Sequence, residues 1–288
     1  MMLASWSGGG GLPAMLIVAG LLSGLPAHSW ATGPLPAAAD VTRRMIERAQ
    51  AVAQAEPGPQ YRYQKRSRLE RLDAAWHPVS SEEKTYDVTL ICGVPFNRLV
   101  KVQGRELSAA ELRREDAREE KFRQQFVSAD RKKLVARKEG VVTPELLGRY
   151  DFAVKERVLL HNRPTLVLTF KPKPGDLPAA SFEDELLNRM TGTLWVDEAE
   201  ADTARLKANL LEPVSLGWFG WLGSLSRCDL SLERERMPDD VWVNRKMDLL
   251  IQCRKLVTTQ RFRTTEDSSG FSRIEATSAI NRKAAPGN

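Results

Sequence analysis

The chain has 288 residues, of which 42% are hydrophobic and 28% are charged, a composition typical of a globular protein rather than a disordered or collagen-like one. Its 43 basic and 37 acidic residues leave a formal net charge of +6, which is too mild to indicate a nucleic-acid partner. Three cysteines exclude a disulfide scaffold, and three histidines give little support to a histidine-based metal or catalytic site.

The amino-terminal segment is apolar and uncharged. Residues 1–39 contain no Asp, Glu, Lys or Arg, and the run Leu12–Leu25 is shorter than the ~20 residues that a membrane-spanning helix needs. The small residues Ser29 and Ala31 suit a cleavage site after Ala31, so we predict a signal peptide over residues 1–31 and a periplasmic location. Because this segment also lacks a basic residue before the apolar run, an uncleaved anchor stays open. No cysteine follows the run at the position that lipid attachment requires, so we expect a soluble mature protein.

One amphipathic helix precedes the first strands. Residues 32–58 are predicted to contain this N-terminal helix, with Asp40 as its cap and the Pro-Gly-Pro sequence at 57–59 as its end. From Tyr61 the apolar period changes to two, which predicts antiparallel strands with one buried face up to Val102.

A long charged helix is predicted at about 108–139. Ser108 and Glu111 have the spacing of a capping box, and the apolar residues that follow are too sparse for a core helix. Its acids nearly match its bases, which favours a solvated helix held by ion pairs over a nucleic-acid arm. Two further short helices are predicted at 143–147 and 181–190.

Strands return after Tyr150. The period-two segments lie at 152–158, 166–170, 193–197, 203–211, 225–236, 241–253, 256–265 and 271–276, and a disordered tail is expected at 277–288. Regular spacing without alternating helices predicts one domain over 59–276, mainly β with covering helices, built on a curved antiparallel sheet of about ten strands. So wide a sheet curls, and its few helices are expected to cover the concave side incompletely.

Incomplete cover would leave an apolar cavity suited to an acyl chain. Strand phase alone assigns its lining to Val88, Leu90, Val100, Val102, Phe152, Val154, Leu166, Leu168, Leu194, Val196, Leu206 and Leu210. The loop that contains Trp218, Phe219, Trp221 and Leu222 between glycines is either folded onto the sheet edge or a flap or membrane contact. The basic strand that begins at Tyr61 presents either an exposed polar face or a contact for anionic headgroups or an acidic partner.

The cysteines are in phase with apolar strand positions. Cys92, Cys228 and Cys253 are therefore expected to be buried thiols, with a bridge between Cys228 and Cys253 as the alternative.

Several motifs resemble the outer-membrane lipoprotein carrier superfamily, the LolA/LolB-like fold, in its lipoprotein-sorting branch. They are Val102–Ser108, Phe152 through the Asn162-Arg163-Pro164 turn to Gly175, Thr191–Asp197 and Val241–Val243, with Asn244 where the family pattern has proline. The resemblance covers about 61–276. It implies a half-open β-barrel closed by helices, a hydrophobic cavity, and transport or sensing of acylated ligands without covalent chemistry.

Motifs for catalysis are missing from the sequence. It contains no Gly-x-Ser-x-Gly, Cys-x-x-Cys or His-Glu-x-x-His motif, and the acidic pairs Asp197-Glu198 and Asp239-Asp240 are typical of turns. We therefore expect no enzyme, cofactor or metal. The favoured function is a periplasmic carrier of lipid or lipoprotein acyl chains that works with an inner-membrane transporter. The alternatives are a sensor or interaction module acting on an envelope regulator, and a hydrolase of envelope lipids.

Overall fold

A computed structural model describes residues 33–54, 60–91, 93–128, 144–175, 177–216, 223–255 and 257–274. All of the strands in these ranges belong to one antiparallel sheet. Its strands are β1 (Gln60–Leu72), β2 (Pro78–Ile91), β3 (Val94–Val102), β4 (Arg105–Glu106), β5 (Tyr150–Leu160), β6 (Arg163–Pro172), β7 (Met190–Asp197), β8 (Thr203–Leu210), β9 (Val214–Leu216), β10 (Gly223–Arg236), β11 (Trp242–Lys255) and β12 (Thr258–Ile274). The helices are α1 (Ala38–Gln54), α2 (Ala109–Ser128), α3 (Pro144–Gly148) and α4 (Phe182–Leu187).

The strand order is β4-β3-β2-β1-β12-β11-β10-β8-β7-β6-β5, and β9 pairs with the start of β10. Every pairing is antiparallel, and the end strands of this order do not pair with each other, so the sheet is curved and open rather than closed into a barrel. The predicted class, a mainly β fold with an open antiparallel sheet and few helices, is confirmed.

Two predicted elements are wrong in their bounds. The strands expected at 256–265 and 271–276 are one strand, β12, because Glu266 to Ser269 continues the ladder opposite β1 and Gly270, in the left-handed region (φ 65°), lies at a register shift within the strand. The polar and glycine residues of this segment, which are typical of a turn, form a β-bulge within β12. The helix expected at 181–190 is shorter, since α4 ends at Leu187 and Met190 begins β7.

The hydrophobic core lies between α1, α3 and one face of strands β5 to β10. Val41 and Met45 of α1 are buried in one cluster with side chains of β6 and β7, among them Leu166 and Val196. These positions recur every three to four residues in the helix and every two in the strands, so each element presents one apolar stripe to the other. The buried cluster therefore lies at this half of the sheet, with α1 and α3 on one side and the strands on the other.

The other long helix, α2, begins where the sequence predicts. Ser108 N–H donates to Glu111 Oε2 at 2.7 Å, and Glu111 N–H donates to Ser108 Oγ at 3.4 Å, so the predicted capping box forms. Among the residues that the structure describes, no helix is long and apolar enough to cross a membrane.

Candidate functional site

The two faces of the sheet differ in chemistry because side chains alternate along each strand. On β10, Cys228 and Leu232 are buried on the core side, whereas Asp229 and Ser231 point to the other side. The same alternation continues through neighbouring strands, since Asp229 pairs with Asn209 and Leu250, and Ser231 pairs with Lys207 and Asp248. One face is therefore apolar and covered by helices, and the other carries rows of polar and charged side chains.

Eight of the twelve side chains expected to line a cavity lie in the packed core. They are Phe152, Val154, Leu166, Leu168, Leu194, Val196, Leu206 and Leu210. Leu166 and Leu168 are 1% and 0% exposed, and α1 lies over this region. Strand phase thus identified a shared apolar face, and in the described structure the chain's own side chains pack against it.

The other four expected residues lie on β2 and β3, away from this cluster. Val88 is buried, whereas Leu90, Val100 and Val102 are half-buried. Strands β1, β12 and β11 separate β2 from β10 in the sheet order. The twelve residues therefore do not come together at one place.

An open groove of about 570 Å³ lies on the face that the core does not use. It crosses five strands from β1 to β8, and its lining includes Glu70, Lys207, Arg227, Asp229, Ser231, Asp248, Leu250 and Arg263. A second hollow of about 390 Å³ shares Ser231 and Asp248 with it and extends toward Arg66 and Arg68. We call the two together the polar groove.

Charges in the polar groove are paired both between strands, as in Arg263 of β12 with Asp248 of β11, and within one strand, as in Arg227 with Asp229 of β10. Arg263 Nη2 lies 2.6 Å from Asp248 Oδ2, and Arg227 Nε lies 2.6 Å from Asp229 Oδ2. In the larger hollow, three acids (Glu70, Asp229 and Asp248) balance three bases (Lys207, Arg227 and Arg263). Since its formal charge is zero, the larger hollow does not select for a polyanion such as a nucleic acid.

Trp76 forms one end of the groove. It sits in the β1–β2 turn with a left-handed backbone (φ 67°), and its ring faces two guanidinium groups, with Arg227 Cζ at 4.7 Å and Arg261 Cζ at 5.3 Å from the ring centroid. The turn is fixed by Asp73, which accepts hydrogen bonds from the N–H groups of Ala75 and His77 at 2.8 and 2.9 Å. A partly exposed Trp ring beside paired charges offers a large contact area to a ligand.

Sequence reasoning missed this groove because its residues have the pattern of an ordinary solvated face. The available signal was the row of opposite charges, such as Arg68 with Glu83 and Arg263 with Asp248, that antiparallel register brings face to face. Predicting the groove also requires the pairing of strands that are far apart in sequence, such as β1 with β12, and local patterns do not give that pairing.

The first of the predicted acidic turns, at Asp197-Glu198, is structural. Asp197 is 1% exposed, and its carboxylate accepts hydrogen bonds from Arg163 and from the N–H groups of Ala199 and Glu200. Burial raises the pKa of this carboxyl, but these bonds outweigh burial and hold the pKa below its usual value. An anchored carboxylate of this kind organises the β7–β8 turn and is not a general acid.

The β7–β8 turn also holds α1. Arg44 Nη2 donates to the carbonyls of Glu198 (2.9 Å) and Ala199 (3.1 Å), and Arg48 Nε lies 3.5 Å from Asp202 Oδ2. Two arginines of α1 therefore attach the covering helix to the β7–β8 turn. That turn is itself ordered by the hydrogen bonds that Asp197 accepts.

The remaining expected residues are only partly described. Cys228 is a buried free thiol whose pKa is raised by burial, and Cys253 is a half-buried free thiol, so the alternative of a bridge between them is wrong. Cys92, Trp218, Phe219, Trp221 and Leu222 lie outside the described residues, and the flap hypothesis stays a prediction. Within the described ranges no three His, Cys, Asp or Glu side chains are arranged to hold a metal ion.

Comparison with known structures gives neighbours of the class that the sequence motifs resemble. An outer membrane lipoprotein-sorting protein domain from Vibrio parahaemolyticus is 9% identical with a TM-score of 0.31, over 84% of this chain and 98% of that one. A DUF1329 family protein from Desulfovibrio piger is 10% identical with a TM-score of 0.31, over 86% of this chain and 99% of that one.

A complex of MucA and MucB from Pseudomonas aeruginosa is also similar, at 12% identity and a TM-score of 0.22, over 84% of this chain and 95% of the matched one. No family model matches the sequence, and no curated protein matches it. These structural similarities are too low to transfer a function to this chain.

Proposed function

We propose that this chain is a non-enzymatic periplasmic interaction module that binds a partner polypeptide in the polar groove. One observation carries the proposal: the apolar sheet face is filled by α1 and the core, while an open groove with balanced charges crosses the other face. Of the functions that the sequence suggested, this arrangement favours the interaction module over the acyl carrier.

A polypeptide suits this groove better than a lipid does. Its larger hollow is lined by both acidic and basic side chains beside apolar ones, and the partner's own charges, amides and apolar side chains can match them. Trp76 supplies an aromatic contact, and Trp is among the residues that most often dominate binding energy at protein interfaces. A hydrocarbon chain would instead cover the paired charges without replacing the water that solvates them.

Site-specific photo-crosslinking in a diderm bacterial cell tests the proposal. A photoreactive amino acid at Leu250, inside the groove, should give one discrete protein adduct, and the same amino acid at the exposed Lys155 of β5 should give none. Trp76→Ala should abolish the Leu250 adduct. A lipid adduct at Leu250, or identical adducts at both positions, would overturn the proposal.

The acyl carrier is the second candidate, favoured by the way α1 is attached. Its polar contacts are made by Arg44 and Arg48 to the β7–β8 and β10–β11 turns rather than to the strands it covers. Displacing α1 would expose the continuous apolar face that contains Leu166, Leu168 and Leu194. The carrier therefore requires an opened α1, which can be tested separately.

A further inference from the structure

The outward edge of β3 is protected at four alternate positions. Pro95 has no N–H to offer, and Lys101 is paired with Glu106 of the short strand β4. Between them lie Asn97 and Leu99, whose backbone groups point away from β2. An edge strand with free N–H and C=O groups is a template for a further strand. Here Pro95 lacks the N–H, Asn97 and Leu99 are bonded by side chains, and Lys101 is paired with β4.

At Asn97 and Leu99 the protection comes from side chains of α2. Glu115 Oε2 accepts a hydrogen bond from the N–H of Leu99 at 3.1 Å, and the Arg118 guanidinium donates to the carbonyl of Asn97. Glu115 and Arg118 are themselves paired at 2.6 Å. One acceptor and one donor thus take the places that the C=O and N–H of a neighbouring strand would take.

The adjacent side chain on β3 also binds carboxylates from α2. Arg98 Nη2 lies 2.5 Å from Asp116 Oδ1, and Arg98 Nη1 lies 2.6 Å from Glu119 Oε2. Asp87, directly across from Arg98 on β2, instead accepts a hydrogen bond from Gln64 at 3.2 Å. The helix therefore presents three carboxylates, from Glu115, Asp116 and Glu119, to this stretch of edge.

The attachment of α2 to the sheet depends mainly on charge. Among the described side chains of α2, Phe122 makes an apolar contact with Phe96, with ring centroids 4.9 Å apart, whereas Leu112 is 43% exposed. Its N-terminus is fastened separately, because Arg105 and Ser108 both bond Glu111. The contacts of α2 with β3 can therefore break while the contacts at the N-terminus of the helix remain.

We propose that the β3 edge is a binding site for an extended acidic peptide segment, and that α2 occupies this site as an internal substitute for that partner. Such a segment would add as a strand beside β3, with its backbone replacing Glu115 and Arg118 and its carboxylates replacing those on Arg98. Two copies of this chain fit the edge less well, because pairing β3 with itself would bring Arg98 and Lys101 of both copies together.

The test is fluorescence anisotropy with a labelled seven-residue peptide that alternates Glu and Val. Because α2 competes for the site, the Glu115→Ala/Arg118→Ala double variant should bind this peptide about tenfold more tightly than the wild-type protein does. Arg98→Ala in the double variant should remove the gain. A matched double change on the same helix, Arg114→Ala/Glu120→Ala, alters exposed residues with no bond to β3 and should leave binding unchanged.

Two further probes keep the proposal falsifiable. The same peptide with N-methyl groups on alternate amides cannot pair as a strand and should not bind. Glu115→Gln, which keeps the shape of α2, should give a gain in the same direction if the double variant fails to fold by circular dichroism. Equal affinity in all variants, or dimerisation of the double variant in sedimentation with no peptide binding, would overturn the acidic-peptide site. Neither result bears on the polar groove, which lies on other strands.

Discussion

Arg163 and Asp197 join the ends of β6 and β7 through two bonds from one guanidinium to one carboxylate, with Arg163 Nη2 at 2.9 Å from Asp197 Oδ1. The same carboxylate accepts backbone N–H groups from the turn that follows it, at 3.1 and 2.9 Å. Since that turn holds Arg44 of α1, the pair connects the packing of the sheet to the position of its covering helix.

Asp197→Asn should lower the free energy of unfolding at pH 7 by about 2 kcal/mol, because it removes the charge from a buried pair whose arginine is partly exposed. The pKa of Asp197 is lower in the folded chain than its usual value, so its stabilisation is present above the unfolded pKa and is lost as pH falls through the folded one. Urea unfolding at pH 7 and pH 3 should show the gap between wild type and variant shrinking at low pH. Asp151→Asn, at an exposed position on β5, serves as the control, and a gap independent of pH would contradict the assignment.

The sequence predicts that Asp197 lies in a turn, but it does not predict that Arg163 is the ion-pair partner of Asp197. An acidic pair after a strand predicts turn chemistry, and Asp197 carries it out. The local sequence places Arg163 only in a turn, because the pairing of β6 with β7 that brings it to Asp197 is not a local property. The same limit applies to the polar groove, whose walls come from β1 and β8, strands that lie more than a hundred residues apart.

Gly192→Ala should destabilise the fold by about 3 kcal/mol or more, because a Cβ at this position on β7 would lie 2.0 Å from the carbonyl oxygen of Lys207 on β8. The backbone of β8 cannot move away without breaking the register of Thr191 with Asn209. Gly148→Ala is the matched control, since a Cβ there meets nothing within 4 Å. Thermal unfolding should show a lower Tm for the first variant and not for the second. Equal Tm values would mean that β7 and β8 are not so closely paired.

The apolar periodicity predicts which sheet face forms the core. It does not predict whether side chains of α1 fill the space above that face or leave a cavity. Leu166, Leu168 and Leu194 share a face by strand phase alone, so their common environment followed from the sequence. Whether Val41 and Met45 fill the space above that face depends on the depth at which α1 packs, and helical spacing does not determine that depth.

Arg44→Ala/Arg48→Ala separates the two proposed functions. The change removes the polar contacts of α1 with the turns, so an acyl carrier with a movable α1 should bind a fluorescent fatty acid about tenfold more tightly once opening costs less free energy. An interaction module should show no fatty-acid binding before or after the change. Arg43→Ala is the control, because the ion pairs of Arg43 among the described residues are both within α1, with Glu47 at 2.9 Å and Asp40 at 3.6 Å. Binding that rises equally in the control would exclude the loosening of α1 as its cause.

Exchanging the charges of one groove pair, with Asp248→Arg and Arg263→Asp together, tests recognition separately from stability. Both side chains are more than a third exposed, so the pair contributes at most about 1 kcal/mol, and the swapped pair keeps that contribution. A partner polypeptide whose charges match the original order would meet like charges at both positions, and its crosslinking at Leu250 should be lost. Urea unfolding should give the same midpoint for the wild type and the double variant. Retained crosslinking at an unchanged midpoint would show that the partner does not read the charges of the groove.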